Sequence, residues 1–230
     1  MTSAVSRETL RRILDAGKVS WKTTITWKAS TDPDFIAKMQ RVLVLYDIPP
    51  DDGRVICVDE FGPLNLMPCK GKAWGPVRRP RRLRMLAALG LATGKLYYRI
   101  RPRKRWCEFL GLLRVLCARW PGQKLYVVLD NFSPYKHSEV RTWIADSDVQ
   151  LVFLPIYGSW LNWMEAEFAA LRYFALGGTG HRSRNEQDAA VAAYVRWRNA
   201  RAEPKTAFAP ESSIRTWTEY SVRAVWPSST

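Results

Sequence analysis

The spacing of hydrophobic positions along the chain changes between the period of strands and that of helices. Short apolar runs that suit buried strands occupy residues 54–60, 86–91, 95–100, 125–131 and 149–154. Apolar residues recur three or four positions apart, as in amphipathic helices, at residues 32–46, 106–118, 137–145, 160–176 and 186–201. Strands followed by alternating helices and strands predict an α/β fold, in which helices flank a mixed central sheet.

Turn-forming and capping residues mark the breaks between these elements. The sequence Pro-Pro-Asp-Asp-Gly at residues 49–53 predicts a linker. Thr93 and Gly94 predict a hairpin turn between two of the strands. Asn185 and Asp188 are predicted to cap the start of the last helix.

We expect three parts along the chain. Residues 1–50 form a small N-terminal appendage, with a short helix at 7–16, a strand or ribbon at 19–27 and a linker helix. Residues 51–204 form the α/β domain, and residues 205–230 form a C-terminal tail.

Basic side chains are concentrated in one segment of the chain. The 230 residues carry a net charge of +15 and are 47% hydrophobic, which is enough apolar material for a folded core. Residues 61–107 contain 13 Lys and Arg and no Asp or Glu, whereas the rest of the chain holds 23 basic and 21 acidic residues. Such a field indicates a polyanionic partner, with nucleic acid favoured over an anionic membrane surface. The sequence contains no apolar stretch of about 18 residues, so it predicts no membrane span.

Two of the predicted strands end in a carboxylate. Asp59 and Glu60 close the first strand, and Asp130 closes the strand at 125–131. A buried strand normally avoids Asp because an unpaired buried charge is costly, whereas ligands bind at the carboxyl ends of strands in α/β sheets. Taken singly, each acid is equally well explained as the cap of a loop or of the following helix.

A third acid lies near the start of helix 160–176. Glu165 and Glu167 lie at opposite edges of the apolar stripe of this helix, so periodicity does not choose between them.

Other catalytic chemistries have little support. The four cysteines form no CxxC pair and suit reduced thiols, and His137 and His181 are the only histidines. Neither histidine belongs to a recognisable nucleophile motif.

Three short motifs occur in a fixed order along the chain. They are Cys57-Val58-Asp59-Glu60, then Val127-Val128-Leu129-Asp130-Asn131, then Leu154-Pro155-x-Tyr157-x-Ser159-x-Leu161-Asn162-x-x-Glu165. Together they resemble the DDE transposases of the IS630 group, in the wider Tc1/mariner superfamily. The 34 residues between Asp130 and Glu165 are similar to that family's spacing. The resemblance extends from about residue 6 to about residue 201, and it implies an RNase H-like fold that cleaves and joins DNA strands in DNA transposition and recombination.

The resemblance also implies roles for individual residues. It matches Asp59, Asp130 and Glu165 to the three catalytic and metal-binding acids, and so selects Glu165 over Glu167 and Asp59 over Glu60. Two Mg²⁺ ions, with Mn²⁺ as an alternative, suit ligands of this kind because both are hard cations that prefer carboxylate oxygens. Asp59 would bridge the ions, Asp130 would hold one and Glu165 the other. At least one of the three acids should have a raised pKa when no metal is bound.

Polar residues beside the acids have two open interpretations. Asn131 follows the second acid and Asn162 precedes the third, so the resemblance implies that they support the metal ligands. Ordinary turn and N-cap roles explain them equally well. His137 is better explained as a surface residue at a helix start than as a contact of the site.

The implied partner is double-stranded DNA, both at the element ends and at the target, bound by a homodimer in the cytoplasm and associated with the nucleoid. Phosphate contact is the physical use of dense positive charge. The residues predicted to contact DNA are Lys70, Lys72, Arg78, Arg79, Arg81, Arg82, Arg84, Arg101, Arg103, Lys104 and Arg105. Trp74 and Trp106 border these residues and would either stack on an unpaired base or pack in the core.

The sequence departs from the family pattern in three places. Residues 7–27 resemble the end of a helix-turn-helix region whose preceding helices are missing, and residues 84–89 look shortened, with a strand or part of one lost. Trp163 stands where many relatives have Pro. Two alternatives therefore remain open beside a transposase: an inactive, truncated remnant that only binds DNA, and an RNase H-like nuclease without strand transfer.

Overall fold

The computed structural model describes residues 30–64, 83–177 and 180–218. The predicted helix at 7–16 and ribbon at 19–27 lie outside these residues. The strands are β1 (Gly53–Leu64), β2 (Leu83–Gly90), β3 (Lys95–Arg101), β4 (Lys124–Leu129) and β5 (Val149–Phe153). The α-helices are α1 (Phe35–Asp47), α2 (Trp106–Arg119), α3 (Ser138–Ala145), α4 (Met164–Leu171) and α5 (Arg184–Ala200).

The five strands form one mixed sheet in the order β3-β2-β1-β4-β5. β2 pairs antiparallel with both β1 and β3, whereas β1, β4 and β5 run parallel. The tight β2–β3 connection requires Gly94, which has φ +61° and whose absent Cβ would lie 1.9 Å from the carbonyl oxygen of Glu203. The predicted hairpin and the α/β class with an RNase H-like mixed sheet are confirmed.

Side chains of each strand alternate between two helical layers, so the sheet has a hydrophobic core on each face. Along β1, Val55 and Cys57 face the layer that contains α1, α4 and α5. Ile56 and Val58 face the layer of α2 and α3. This alternation decides on which face each polar residue of β1 lies.

The first of these cores extends across the predicted boundary at residue 50. Tyr46 of α1 is buried, and its ring packs 5.4 Å from that of Phe208 and 6.4 Å from that of Trp163. Ile214, also in the predicted tail, is buried in the same core. Helix α1 and part of the segment after residue 204 therefore pack with the sheet.

Three local predictions were wrong. Ser183, not Asn185 or Asp188, caps α5, because its hydroxyl accepts a hydrogen bond from the backbone N–H of Glu186. The residues from 160 do not form one helix, since a 3₁₀ turn (Ser159–Leu161) comes first and a π-helical turn (Arg172–Leu176) follows α4. β2 covers residues 84–89 and pairs along both edges, so the described sheet has no gap there.

No helix in the described ranges is both long and apolar enough to cross a membrane.

Helices α4 and α5 are joined by a buried ion pair. The carboxylate of Glu167 accepts from Arg198 at 2.5 Å (Nη2) and 2.8 Å (Nε), and Lys205 Nζ lies 3.3 Å from the same carboxylate. Glu167 is 7% exposed, so this acid stabilises the fold and is not accessible to a ligand.

We predict that Glu167→Ala destabilises the protein strongly, because it leaves the Arg198 guanidinium buried without its partner. The expected loss in the free energy of unfolding is about 3–5 kcal/mol. The exposed Glu165 on the same helix is the matched control, and Glu165→Ala should change that free energy by less than about 0.5 kcal/mol. Urea unfolding of both variants measures the difference, and equal midpoints would contradict the assignment.

Candidate active site

Parallel pairing of β1 with β4 brings the first two acids side by side. The register pairs Gly53 with Lys124 and Cys57 with Val128. Continued by two residues, the same register places Asp59 opposite Asp130, at the carboxyl end of β4. Neighbouring strands lie about 4.8 Å apart, so Asp59 and Asp130 occupy neighbouring backbone positions, and the Asp130 carboxylate is close enough to raise the pKa of Asp59.

Alternation along β1 separates the two consecutive acids of its motif. Asp59 shares the face of Cys57 and Phe61, which is the face covered by α4. Glu60 points to the opposite face, where it pairs with Lys104. Asp59 therefore faces the helix that carries Glu165, whereas Glu60 is already neutralised on the other side of the sheet.

Asn162 ties the start of α4 to the strand that carries Asp59. It is 2% exposed, and its side-chain amide donates to the carbonyl of Val58 at 3.1 Å. Its side-chain oxygen accepts from the N–H of Met164 at 3.1 Å, and its carbonyl accepts from the N–H of Glu165 at 3.1 Å. One residue thus connects β1, immediately before Asp59, to the turn that presents Glu165.

Tyr46 stabilises the same turn before α4 through a buried hydrogen bond, a role that the sequence did not predict. Its hydroxyl donates to the carbonyl of Leu161 at 2.9 Å and lies 3.3 Å from the sulfur of Cys57. Burial raises the pKa of Tyr46 well above its usual range and that of Cys57 to about 12, so both groups stay neutral. The only sequence signal that could have indicated a buried Tyr46 is its position on the apolar stripe of helix 32–46.

The electrostatics of the site centre on Asp59. Burial, as the main cause, and the nearby carboxylates of Asp130, Glu165 and Glu60 together raise the pKa of Asp59 to about 7. A hydrogen bond of 2.7 Å from the N–H of Glu60 acts in the opposite direction. The raised pKa that the sequence predicts for one acid of the set is thus found at Asp59, within electrostatic reach of the other two.

The three acids offer only hard oxygen ligands. One carboxylate oxygen of Asp130 accepts from the N–H of Phe132 at 3.0 Å, and Glu165 is exposed at the first turn of α4. Within the described part of the chain, no three His, Cys, Asp or Glu side chains are gathered closely enough to hold a metal ion. The donor chemistry suits Mg²⁺ or Mn²⁺, which prefer carboxylate oxygens.

The remaining polar neighbours have structural roles. The amide of Asn131 donates to the carbonyl of Leu154 at 2.6 Å, which joins the ends of β4 and β5. Lys136 Nζ donates to the side-chain oxygen of Asn131 at 2.9 Å. His137 caps α3 by accepting from the N–H of Glu139, and its ring stacks on Trp106 at 4.6 Å. Trp106 thus packs within the fold.

The structure places only part of the predicted DNA-binding set. Lys70, Lys72, Trp74, Arg78, Arg79, Arg81 and Arg82 lie outside the described residues. Arg84 lies opposite Arg101 in the β2–β3 pair, and Arg101 and Arg103 are exposed. Lys104 is paired with Glu60, and Arg105 contacts Glu108 at 2.8 Å. Arg101 and Arg103 are therefore the most accessible cations of the described group.

Comparison with known proteins gives a match to one family model. The family model of the DDE superfamily endonucleases matches residues 54–186. None of the curated proteins matches the sequence significantly.

Solved structures of a mariner transposase share the fold. The Mos1 mariner paired-end complex with Mn is 14% identical with a TM-score of 0.57, and covers 84% of this chain and 64% of that chain. The paired-end complex with Mg is 15% identical with a TM-score of 0.59, and covers 83% and 63%. The Mos1 strand transfer complex is 14% identical with a TM-score of 0.58, and covers 84% and 63%.

The chain thus spans somewhat less than two thirds of the length of these Mos1 chains. At this level of identity, the likeness shows a common fold. The family model, by contrast, matches more than half of the chain and includes Asp59, Asp130 and Glu165. On this basis, the chain belongs to the DDE superfamily endonucleases.

Proposed function

We propose that the chain is the catalytic part of an IS630-group transposase of the Tc1/mariner superfamily. Its activity is metal-dependent cleavage of DNA at the ends of an insertion element, followed by strand transfer. The observation that carries the proposal is the arrangement of Asp59 and Asp130 on adjacent parallel strands, beneath a helix start that presents Glu165. Phosphodiester chemistry with hard divalent cations needs such an all-carboxylate set.

The three acids share one task in the proposed reaction, which is to bind the metal ions. Asp59, Asp130 and Glu165 would together hold two Mg²⁺ ions or, alternatively, Mn²⁺. Such ions, when bound, activate the attacking oxygen and stabilise the charge of the leaving oxygen. Asn162 and Tyr46 fix the backbone that precedes Glu165. The Mn and Mg complexes of Mos1 support the choice of metal.

The proposed partner is double-stranded DNA, bound by a homodimer. The acid-free segment of residues 61–107 lies in sequence between the first two catalytic acids, so its charge would border the site and attract phosphate. Solved relatives in fold are complexes with a transposon end or named for strand transfer, which supports this partner. The proposed location is the cytoplasm, at the nucleoid when DNA is bound.

A non-catalytic protein of the same family that only binds DNA is the second candidate. It is favoured by one observation, that the described residues contain no ready-made group of three metal ligands. The two candidates share the fold and the cationic segment and differ in metal binding and in DNA cleavage, so the following predictions separate them.

Without metal, Asp59→Asn should stabilise the protein at pH 8. Below about pH 4 this carboxyl is protonated in both the folded and the unfolded chain. Between about pH 4 and pH 7 the folded chain keeps a proton that the unfolded chain has lost, so the free energy of unfolding falls as the pH rises and then levels off above about pH 7. The variant avoids this loss, and each kcal/mol retained raises Tm by roughly 2–4 °C.

Thermal unfolding at pH 4 and pH 8, with and without Mg²⁺, measures the effect. The gain of Asp59→Asn should vanish at pH 4, and Mg²⁺ should stabilise only the wild type. The exposed Asp51→Asn is the control for a general effect of removing a negative charge. A stability difference that is the same at both pH values would contradict the burial of a charged Asp59.

Asp130→Asn should abolish cleavage without changing the fold, because a neutral amide is a poor ligand for a hard cation. We expect nicking of supercoiled DNA in Mg²⁺ or Mn²⁺ to fall by a factor of about 10² or more. Asp146→Asn, at the exposed end of α3, should retain the wild-type rate. Nicking that persists in Asp130→Asn would reject the assignment of the acids, and a wild type that never nicks would favour the second candidate.

DNA binding should depend steeply on salt. Neutralising Arg78, Arg79, Arg81 and Arg82 together should flatten the slope of log K against log[salt] by up to about 3–4 units if all four contact phosphates. Arg141→Gln, on the exposed face of α3, should change the slope by less than about one unit. Titrations of duplex DNA by anisotropy at several salt concentrations give both slopes, and an unchanged slope in the fourfold variant would place that cluster away from DNA.

A further inference from the structure

Lys104 contacts both of the chain segments that carry Asp59 and Asp130. It lies in the short connection between β3 and α2, and its ammonium forms an ion pair with the Glu60 carboxylate. The same ammonium lies 4.2 Å from the ring centre of Phe132. Glu60 directly follows Asp59, and Phe132 lies two residues after Asp130. One side chain therefore joins the two segments, from the side of the sheet that α2 and α3 cover.

Both residues that Lys104 contacts also orient an acid through their backbone. The N–H of Glu60 donates to the Asp59 carboxylate at 2.7 Å, and the N–H of Phe132 donates to the Asp130 carboxylate at 3.0 Å. Each acid thus has one oxygen held by the main chain of a residue whose side chain contacts Lys104. A shift of either segment moves the donor and its acid together, so this bridge controls the spacing of the two carboxylates.

The two ends of the bridge are attached to rigid elements. The Glu108 carboxylate accepts from the backbone N–H of Arg105 at 3.0 Å and from its guanidinium at 2.8 Å, which fixes the start of α2 directly after Lys104. At the other end, the Phe132 ring packs 5.4 Å from that of Tyr135, which is 1% exposed. Metal ligands are held precisely when such supporting contacts are themselves fixed.

The charge of Lys104 is engaged, unlike that of its neighbours. Its side chain is 32% exposed and pairs with Glu60, whereas Arg101 and Arg103 are exposed. To reach a phosphate, the ammonium would have to leave both Glu60 and the Phe132 ring. That move would deprive a largely buried carboxylate of its partner, which is costly.

We propose that Lys104 is a positioning residue of the metal site and sets the spacing of the Asp59 and Asp130 carboxylates. It contacts neither the cation nor the DNA, and acts through Glu60 and Phe132. The inference rests on the proposed function for the presence of a metal site, and it adds a residue to that site. Outer groups that orient metal ligands typically change metal affinity by about 10–100-fold when they are removed.

The direction of the change separates positioning from simple electrostatics. Lys104 is a cation near a site for cations, so the loss of its charge alone would tighten metal binding. Loss of the bridge instead frees the two segments to move relative to each other, which weakens metal binding. Weaker binding in a variant without the ammonium therefore has a geometric cause.

The test titrates Mn²⁺ alone into the protein, and the EPR signal of free Mn²⁺ reports binding without DNA or cleavage. Lys104→Met keeps a long side chain over Phe132 but loses the ammonium, and it should weaken Mn²⁺ binding about tenfold. Lys104→Arg should restore the affinity to within about threefold, because a guanidinium also pairs with carboxylates and stacks on rings. Glu60→Gln/Lys104→Met leaves no unpaired carboxylate and should show the same loss, which keeps the test decisive if the single variant folds poorly.

Arg103→Gln is the matched control, because it removes an exposed cation one position away. It should leave Mn²⁺ binding unchanged, and should weaken metal-free DNA binding with a salt slope lower by up to about one unit. Lys104→Met should give the reverse result in the same anisotropy titrations, with DNA binding intact. In nicking assays its kcat should fall while the DNA concentration at half-maximal rate stays unchanged.

Mn²⁺ binding that Lys104→Met leaves unchanged or tightens would overturn this proposal alone. Reduced DNA affinity in that variant, with Mn²⁺ binding intact, would assign Lys104 to the phosphate backbone instead. A wild type that binds no Mn²⁺ would overturn the proposed function together with this inference, so the two failures are distinguishable.

Discussion

The burial of one carboxylate, Asp59, inside a hydrophobic strand is the constraint on which the rest of the structure depends. The residues before it on β1, Ile56, Cys57 and Val58, are fully buried and apolar, and the residue after it is another acid, Glu60, so no cationic side chain on its own strand compensates the charge. Burial and the nearby acids raise its pKa to about 7, which makes the metal-free site a local source of instability. Functional sites commonly retain such costly groups because their chemistry requires them. A divalent cation at this position would remove the cost.

Two pairs of nearby acids illustrate how position decides chemistry. Glu60 follows Asp59 but lies on the other face of the sheet, where Lys104 neutralises it. Glu167 lies two residues after Glu165 but is buried against Arg198, whereas Glu165 is exposed. In each pair one acid, Glu60 or Glu167, forms an ion pair within the fold, and the other, Asp59 or Glu165, does not. Asp59 and Glu165 lie on the same side of the sheet, and together with Asp130 they define the candidate site.

Much of this could be predicted from the sequence, because it depends on local patterns. The approximate strand and helix positions, the hairpin at Gly94 and the carboxyl end of β4 all follow from short-range periodicity and turn chemistry. The prediction that the first strand ends at Asp59 and Glu60 was wrong, because β1 continues to Leu64 and pairs with β2 beyond the two acids. The motifs also singled out Asp59 and Glu165 from Glu60 and Glu167, and the structure shows that the latter two acids are engaged in ion pairs. The predictions that failed concern local details that depend on tertiary packing. The cap at Ser183 and the π-helical turn that exposes Tyr173 depend on how α4 and α5 pack together.

The sequence by itself determined the class of fold and the order of its elements, and its motifs singled out three acids as candidates. Only the tertiary structure decided that β1 and β4 pair in the register that sets Asp59 beside Asp130, and that Asn162 and Tyr46 hold the turn before Glu165. It also decided that α1 shares the core of the sheet. The physical reason is that register and buried hydrogen bonds join residues up to 115 positions apart, and no local pattern encodes such partners.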